Sequence, residues 1–482
     1  MKPLHLLSLL ILASGCVPMR KDALPSSDPP LPRNFPGGSS GGPSSALTDW
    51  RQYFRDPNLT SLIGTALANN QELNILLQEI NVSKAEVRAR KGAIFPFVTL
   101  GGTAGLDKVG KHTREGAVEE NLEIAPEREF PDPLTNFGFA ADFDWEVDIW
   151  RKLRNERDAA VKRYFGTQEG RNFMVTNIVS EIAESYYELL ALDNKLSILQ
   201  RTIGIQSNAL SAVKLQKDAA KVTELAVRRF EAEVLKNKSL VFEIQQQIVV
   251  MENRINYLVG RYPQHVKRNA SGFETLMLAN LRSGLPSDLL RNRPDVRKAE
   301  LELAATGFEF KAAAARFYPA LNISAALGLQ SFTLGSAFST PGSLIYGAAA
   351  NAVGPLINRS QINAAYNTAS AKQIAAVYEY QQTVLKAYIE VVNQLAQMRN
   401  LNQAYDLKTQ QVQALSDSID ISGKLFNNAR ADYTEVLFTQ RDTLEARVDL
   451  VELKQQQLAA YIKAYKALGG GYTRPNAPPP AP

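Results

Sequence analysis

Proline occurs 24 times in the 482 residues of this chain, yet none falls within residues 134–262 or residues 356–474. A proline inside a helix costs about 3 kcal/mol, so two such stretches are where long helices can run. The apolar spacing agrees. Met174, Ile178, Ile182, Ser185, Leu189, Leu192, Leu196, Leu199 and Ile203 step by three or four in the first stretch. Val384, Tyr388, Val391, Leu395 and Met398 do so in the second, and Val412, Leu415 and Ile419 resume the phase. This is coiled-coil spacing. A single helix over residues 151–218 would be roughly 100 Å long. No compact domain needs that, although a repeat solenoid or a fibrous stalk does.

The two stretches match because the chain is duplicated. "ARKGAIFPFVTLGGTAGL" (residues 89–106) and "AAARFYPALNISAALGL" (residues 313–329) align on Pro96 and Pro319, each closing a helical pattern and opening an alternating one. In the second copy Leu321, Ile323, Ala325, Leu327 and Leu329 alternate with Asn322, Ser324, Ala326, Gly328 and Gln330. Further on in the first half, "FGFAADFDWEVDIW" (residues 137–150) puts Phe137, Phe139, Phe143, Trp145 and Ile149 on one parity and Asp142, Asp144, Glu146 and Asp148 on the other. A period of two predicts strands with one apolar and one wet face. The apolar face meets either a protein core or lipid. The small-residue run "YGAAANAVGPLI" (residues 346–357) is the matching second strand of the second half. Each half therefore reads helix, strand, loop, strand, long helix, turn, helix. The first loop, around "DKVGKHTREGAVEENLEIAPEREFPDP", is longer and more charged than the second, around "SFTLGSAFSTPGS".

The N-terminus carries an address. Met1-Lys2-Pro3 and the apolar "LHLLSLLILAS" lead to Ala13-Ser14-Gly15-Cys16, and Cys16 is the only cysteine. That run is too short to span a bilayer and reads as a secretory signal peptide. The small residues before Cys16 resemble the lipobox of bacterial lipoproteins, although Leu12 stands four places before the cysteine where that pattern has leucine at three. With one cysteine there is no internal disulfide. The Pro, Gly and Ser-rich stretch that follows is expected to be a flexible tether. No other apolar run reaches about 18 residues, so any membrane span must be a β-barrel. Bacterial barrels need at least eight strands. Four per chain must therefore be pooled among several chains.

Composition narrows the function. The chain is 45% hydrophobic and 21% charged with net charge +5. Its charges are interspersed, without a basic stripe interleaved with aromatics, which argues against nucleic-acid binding. The three histidines, His5, His112 and His265, form no spaced zinc pair, and neither a phosphate-binding glycine loop nor a serine nucleophile elbow is present. No enzyme chemistry and no cofactor are expected. The six methionines are scattered, so a soft-metal site is not expected either.

With the duplicated halves, the lipobox and "GLPSDLLRNRPDVRKAELELAAT" (residues 284–306), the chain resembles the outer membrane factor family of TolC-like channels, specifically the lipoprotein branch serving resistance-nodulation-division (RND) efflux pumps. Locally that motif is a joint, since Ser287 and Asp288 are N-cap types and Pro294 suits a first helical turn. The resemblance implies an α+β membrane protein. Three chains form a tube: a twelve-stranded outer-membrane barrel, a periplasmic α-helical coiled-coil barrel, and a mixed belt from residues 47–58, 263–285 and those after Leu468. It implies a homotrimer touching outer membrane lipid, with a periplasmic adaptor and an inner membrane RND transporter as partners. The divisions are a signal peptide (1–15), lipidated Cys16 with its tether (16–46), a first repeat (47–262), a linker (263–285), a second repeat (286–468) and a flexible tail (469–482).

On this reading the function is the passive outer-membrane exit duct of a tripartite pump. A type I secretion channel and a poreless coiled-coil lipoprotein remain as alternatives. Asp142, Asp144, Glu146 and Asp148 would line the lumen, with the aromatics facing lipid. Two hairpins, "KDAAKVTELAVRRFEAEV" (217–234) and "NNARADYTEVLFTQRDTLEARV" (427–448), resemble the family's periplasmic tips. Relatives often carry an acid where Ala226 and Phe438 stand, while Arg441 matches a gating arginine. Asp432, Glu435, Phe438 and Arg441 are therefore the expected gate, with Phe438 either forming an apolar collar or packing between helices.

Overall fold

The computed structural model describes residues 17–18, 20, 22–27, 30–38, 44–278, 281–354, 359–428 and 430–472. The expected signal peptide, Cys16 and the tail beyond Tyr472 lie outside them. The proline-free stretches fold as expected. In the first half, helices Trp50–Tyr53 (α1), Pro57–Asn69 (α2) and Gln71–Gly92 (α3) lead into strand Phe97–Asp107 (β1). The charged loop is less open than the sequence suggests, for it holds helix Arg114–Asn121 (α4) and a small hairpin, Glu123–Ala125 (β2) with Arg128–Glu129 (β3). Strand Leu134–Val147 (β4) then feeds helix Lys152–Asp218 (α5), which is 67 residues long and returns through Glu224–Val259 (α6). The second half repeats this with Asp288–Asn292 (α7), Pro294–Ala315 (α8), Ala320–Ser331 (β5), Leu344–Val353 (β6), the 68-residue Ser360–Asn427 (α9) and Tyr433–Ala467 (α10).

Local chemistry sets the helix starts. Asp56 accepts from the N–H groups of Asn58 and Leu59, with Pro57 at the first helical position of α2. Pro294 opens α8 in the same way. Ser287 makes no capping bond through its side chain; Asp288 instead accepts from the Leu285 N–H at 3.0 Å.

The four long strands form one antiparallel sheet in the order β1, β4, β5, β6, so the two halves join at β4 and β5. Strands of 10 to 14 residues match the length that crosses a bilayer at a tilt. Both outer strands, β1 and β6, are exposed along their full length. Their outer edges have no strand partner among the described residues.

The largest core lies far from the sheet, around the middle of the long helices. Trp50, Phe54 and Ile63 pack there with Ile182 and Tyr186 of α5, Ile255 of α6, Val266 and Phe273 of the linker, and Tyr465 of α10. The Tyr53 and Tyr465 rings stack at 4.1 Å between centroids. Trp50 and Phe54 thus share one apolar cluster with Val266 and Phe273 of the linker.

The segment expected to be a flexible tether is only partly within the described residues. Its described residues form a strap docked on the second half. Tyr366 donates to the Pro18 carbonyl, Arg20 reaches Ser370 and Gln373 and lies over the Phe310 ring, and Gln381 donates to the Ser26 carbonyl. Phe35 is buried and stacks on Tyr388. The Gly and Pro content hid a few anchoring side chains that fix an otherwise extended segment.

Candidate functional site: duct wall, joint and tip

The sheet is two-faced across all four strands, because directly opposed residues share a face. Asp142 lies opposite Thr99 and Ala326, Asp144 opposite Phe97 and Ser324, and Glu146 opposite Asn322, which in turn faces Asn351. On the other face Phe143 lies between Val98 and Ala325, Trp145 opposite Ile323, and Leu327 opposite Tyr346. Phe97, Leu134, Ile345 and Val353 are the large apolar exceptions on the polar face.

The four carboxylates do not have equal standing. Asp142 and Asp144 are exposed. Glu146 is engaged by Lys152 at 2.6 Å, which offsets its charge. Asp148 requires a correction: β4 ends at Val147, and the Asp148 side chain, only 2% exposed, accepts from the N–H groups of Leu153 and Arg154 at 3.0 and 2.9 Å. It satisfies the open amides at the start of α5, where the helix dipole also favours an anion. The strand parity that pointed it at water runs out one residue earlier.

The joint between halves contains residues that sequence reasoning passed over. Arg293, beside the recognised Pro294, is buried. It donates to Asp295 at 3.0 and 2.6 Å, to Glu390 of α9 at 2.8 Å and to the Ala467 carbonyl at the end of α10 at 2.9 Å. Burial alone would lower its pKa, but Asp295 and Glu390 more than offset this and raise it, so it stays charged. Arg268 plays a similar part in the linker, forking onto Asp193 and reaching Glu252, which ties that segment to α5 and α6. An arginine beside acids in a loop flanked by helices was the only available signal.

At the tip, Ala226 is fully buried in an apolar cluster with Val213, Val227, Phe230 and Leu437. A carboxylate would be costly there. Phe438 stays outside this cluster and is 46% exposed, so it does not pack between helices of its own chain. The Arg441 guanidinium lies over its ring at 5.0 Å and contacts Asp442 at 3.3 Å. Asp432 caps α10 by accepting from the Tyr433 N–H at 2.6 Å, and Glu435 stands exposed in the first turn. Glu435, Phe438 and Arg441 are exposed at three-residue spacing along the first turns of α10, with Asp432 capping its start.

The family model described as outer membrane efflux protein matches residues 62–261 and 285–470. Among curated relatives, the pyoverdine export outer membrane protein OpmQ of Pseudomonas putida is 26% identical, with 89% of this chain and 90% of that protein covered. The cation efflux system protein CusC of Escherichia coli is 25% identical, with coverage of 92% and 94%. Among solved structures, the outer-membrane channel OprN superposes with a TM-score of 0.84 at 20% identity, covering 94% of this chain and 99% of that one.

Proposed function

The chain belongs to the outer membrane efflux protein family, and from that membership we propose a homotrimeric duct in which three four-stranded sheets close a twelve-stranded barrel above a periplasmic helical tube. It is the outer membrane channel of a tripartite efflux pump, a passive exit for cargo delivered from the inner membrane. The observation that carries the trimeric reading is the sheet: polar on one face, apolar on the other, and open at both edges. Lipid would take the apolar face and the closed barrel would abolish the edges. An RND transporter and a periplasmic adaptor are the partners, the adaptor docking at the helical tips. Relatives named for cargoes as unlike as pyoverdine and cations support a duct that leaves selection to the pump.

Reconstitution in a planar bilayer tests this reading, since a stalk would not conduct. Within the duct, Asp142 and Asp144 are the open lumen charges, giving six carboxylates in two rings per trimer. Asp142→Asn with Asp144→Asn is expected to move the reversal potential in a salt gradient toward anions, whereas Glu146→Gln alone should move it much less because Lys152 already offsets that charge. An unchanged potential in the double variant overturns the lumen assignment.

At the tip, three copies each of Phe438 and Arg441, with Asp432 and Glu435 beside them, form the constriction, the aromatics gating by dewetting. Phe438→Ala and Arg441→Ala, made separately, are expected to raise single-channel conductance and to sensitise cells to a large antibiotic normally excluded by the outer membrane. If both variants stay closed as folded trimers, the constriction lies elsewhere. Cys16 carries the lipid anchor in this proposal. Cys16→Ala should abolish lipid labelling while leaving the protein in the outer membrane, because a spanning barrel holds far more firmly than acyl chains; persistent labelling contradicts the assignment.

A further inference from the structure

At the end of the sheet where β4 stops and β5 begins, Val17, Trp150, Arg151, Phe308, Lys311 and Tyr318 line a cleft that contains no carboxylate. The Trp150 and Tyr318 rings stack at 4.6 Å, and the Trp150 indole donates to the Pro319 carbonyl at 2.8 Å, which fixes the aromatic wall to the residue before β5. Neither Arg151 nor Lys311 has an acidic partner among the described residues; Lys311 lies 5.4 Å from the Phe308 ring. Arg151 also holds a backbone that favours glycine, with φ of 61°; its guanidinium, a donor only, cannot cap α5, and Asp148 satisfies those first amides instead. A left-handed arginine costs conformational energy that glycine would not.

We propose that this cleft binds the phosphodiester headgroup of an anionic glycerophospholipid from the periplasmic leaflet, with Arg151 and Lys311 holding the phosphate and Trp150 and Tyr318 at the level of the glycerol esters. Three observations converge on that occupant. The cleft sits at the helix-side rim of strands long enough to span a bilayer, where aromatic rings prefer the interface. Its charge is positive and uncompensated, matching the basic pockets that hold anionic headgroups. Val17, the residue after Cys16, lines it, so the cleft and the point of lipid attachment adjoin in the chain. The site rests on the barrel orientation proposed above.

The test uses the full-length protein, extracted in detergent and examined by native mass spectrometry after addition of phosphatidylglycerol or phosphatidylethanolamine. Wild type is expected to retain phosphatidylglycerol preferentially. Each basic side chain near an anionic surface contributes about fivefold, so Arg151→Gln with Lys311→Gln should weaken retention by roughly 25-fold. Lys311→Gln alone, at an exposed helical position, should show about a fivefold loss and guards against misfolding of the double variant. Equal retention of both lipids, or undiminished phosphatidylglycerol on either variant, overturns the site. Displacement by millimolar inorganic phosphate would identify a free-phosphate site and overturn the lipid assignment. Planar-bilayer conductance and the light-scattering mass of the same wild-type preparation report separately on the channel reading: trimers with no lipid preference reject the headgroup site alone, and a monomer that does not conduct rejects the barrel itself.

Discussion

Arg293→Ala is expected to destabilise the folded chain by about 3 kcal/mol, the low end of the cost of breaking a buried ion pair, since Glu390 is itself partly solvated. The Arg293 side chain is only 6% exposed, and its removal leaves the Ala467 carbonyl without its donor and Asp295 with only the Val296 N–H. Three elements part company at once: the start of α8, the middle of α9 and the end of α10. Arg293→Lys keeps the charge but not the planar fork that serves Asp295 through two bonds, so an intermediate loss is expected. Urea titration followed by loss of helical circular dichroism measures both. A midpoint for Arg293→Ala matching wild type would show that the network adds nothing to stability.

The second large effect concerns assembly. On α6, Leu235, Phe242 and Val249 recur every seven residues and are exposed, Phe242 at 71% and Leu235 at 60%. Tyr378 and Leu385 make a similar exposed pair on α9. Seven-residue apolar spacing on an exposed helix face is a coiled-coil seam waiting for another helix. In the proposed trimeric duct that helix belongs to a neighbouring chain. Leu235→Asp with Phe242→Asp would set two carboxylates from each chain into the seam, and the unpaired burial should abolish trimers. Size-exclusion chromatography with light scattering would then report monomers. Trimers of undiminished stability would place the subunit contact on another face.

Much of the architecture is legible in the chain because long regular elements repeat one rule many times. The parity of β4 and β5 and the apolar stride of α5 each rest on five or more residues, and Pro96 and Pro319 mark the same junction twice. What escapes is decided by single residues. Asp148 obeys the strand alternation yet caps a helix, because the strand ends one residue before it. Arg293 acquires its partners from segments about a hundred and nearly two hundred residues away in sequence. The strap looks like linker by composition, and only Arg20 and Phe35 distinguish it from one. The helix and hairpin inside the first loop are too short for periodicity to reveal.

The two bare edges of the sheet also set a clock. A chain that has made its own four strands still presents the full lengths of β1 and β6 as templates for any extended segment it meets. Closure of the proposed trimer requires two encounters and a final ring closure, so its rate rises steeply with the local density of newly exported chains, while pairing with the wrong strand needs only one encounter. Confinement to a membrane surface raises that density and restricts orientation. In that proposal the lone chain is a transient to be passed through quickly, and the stabilities of its variants compare only at matched concentration.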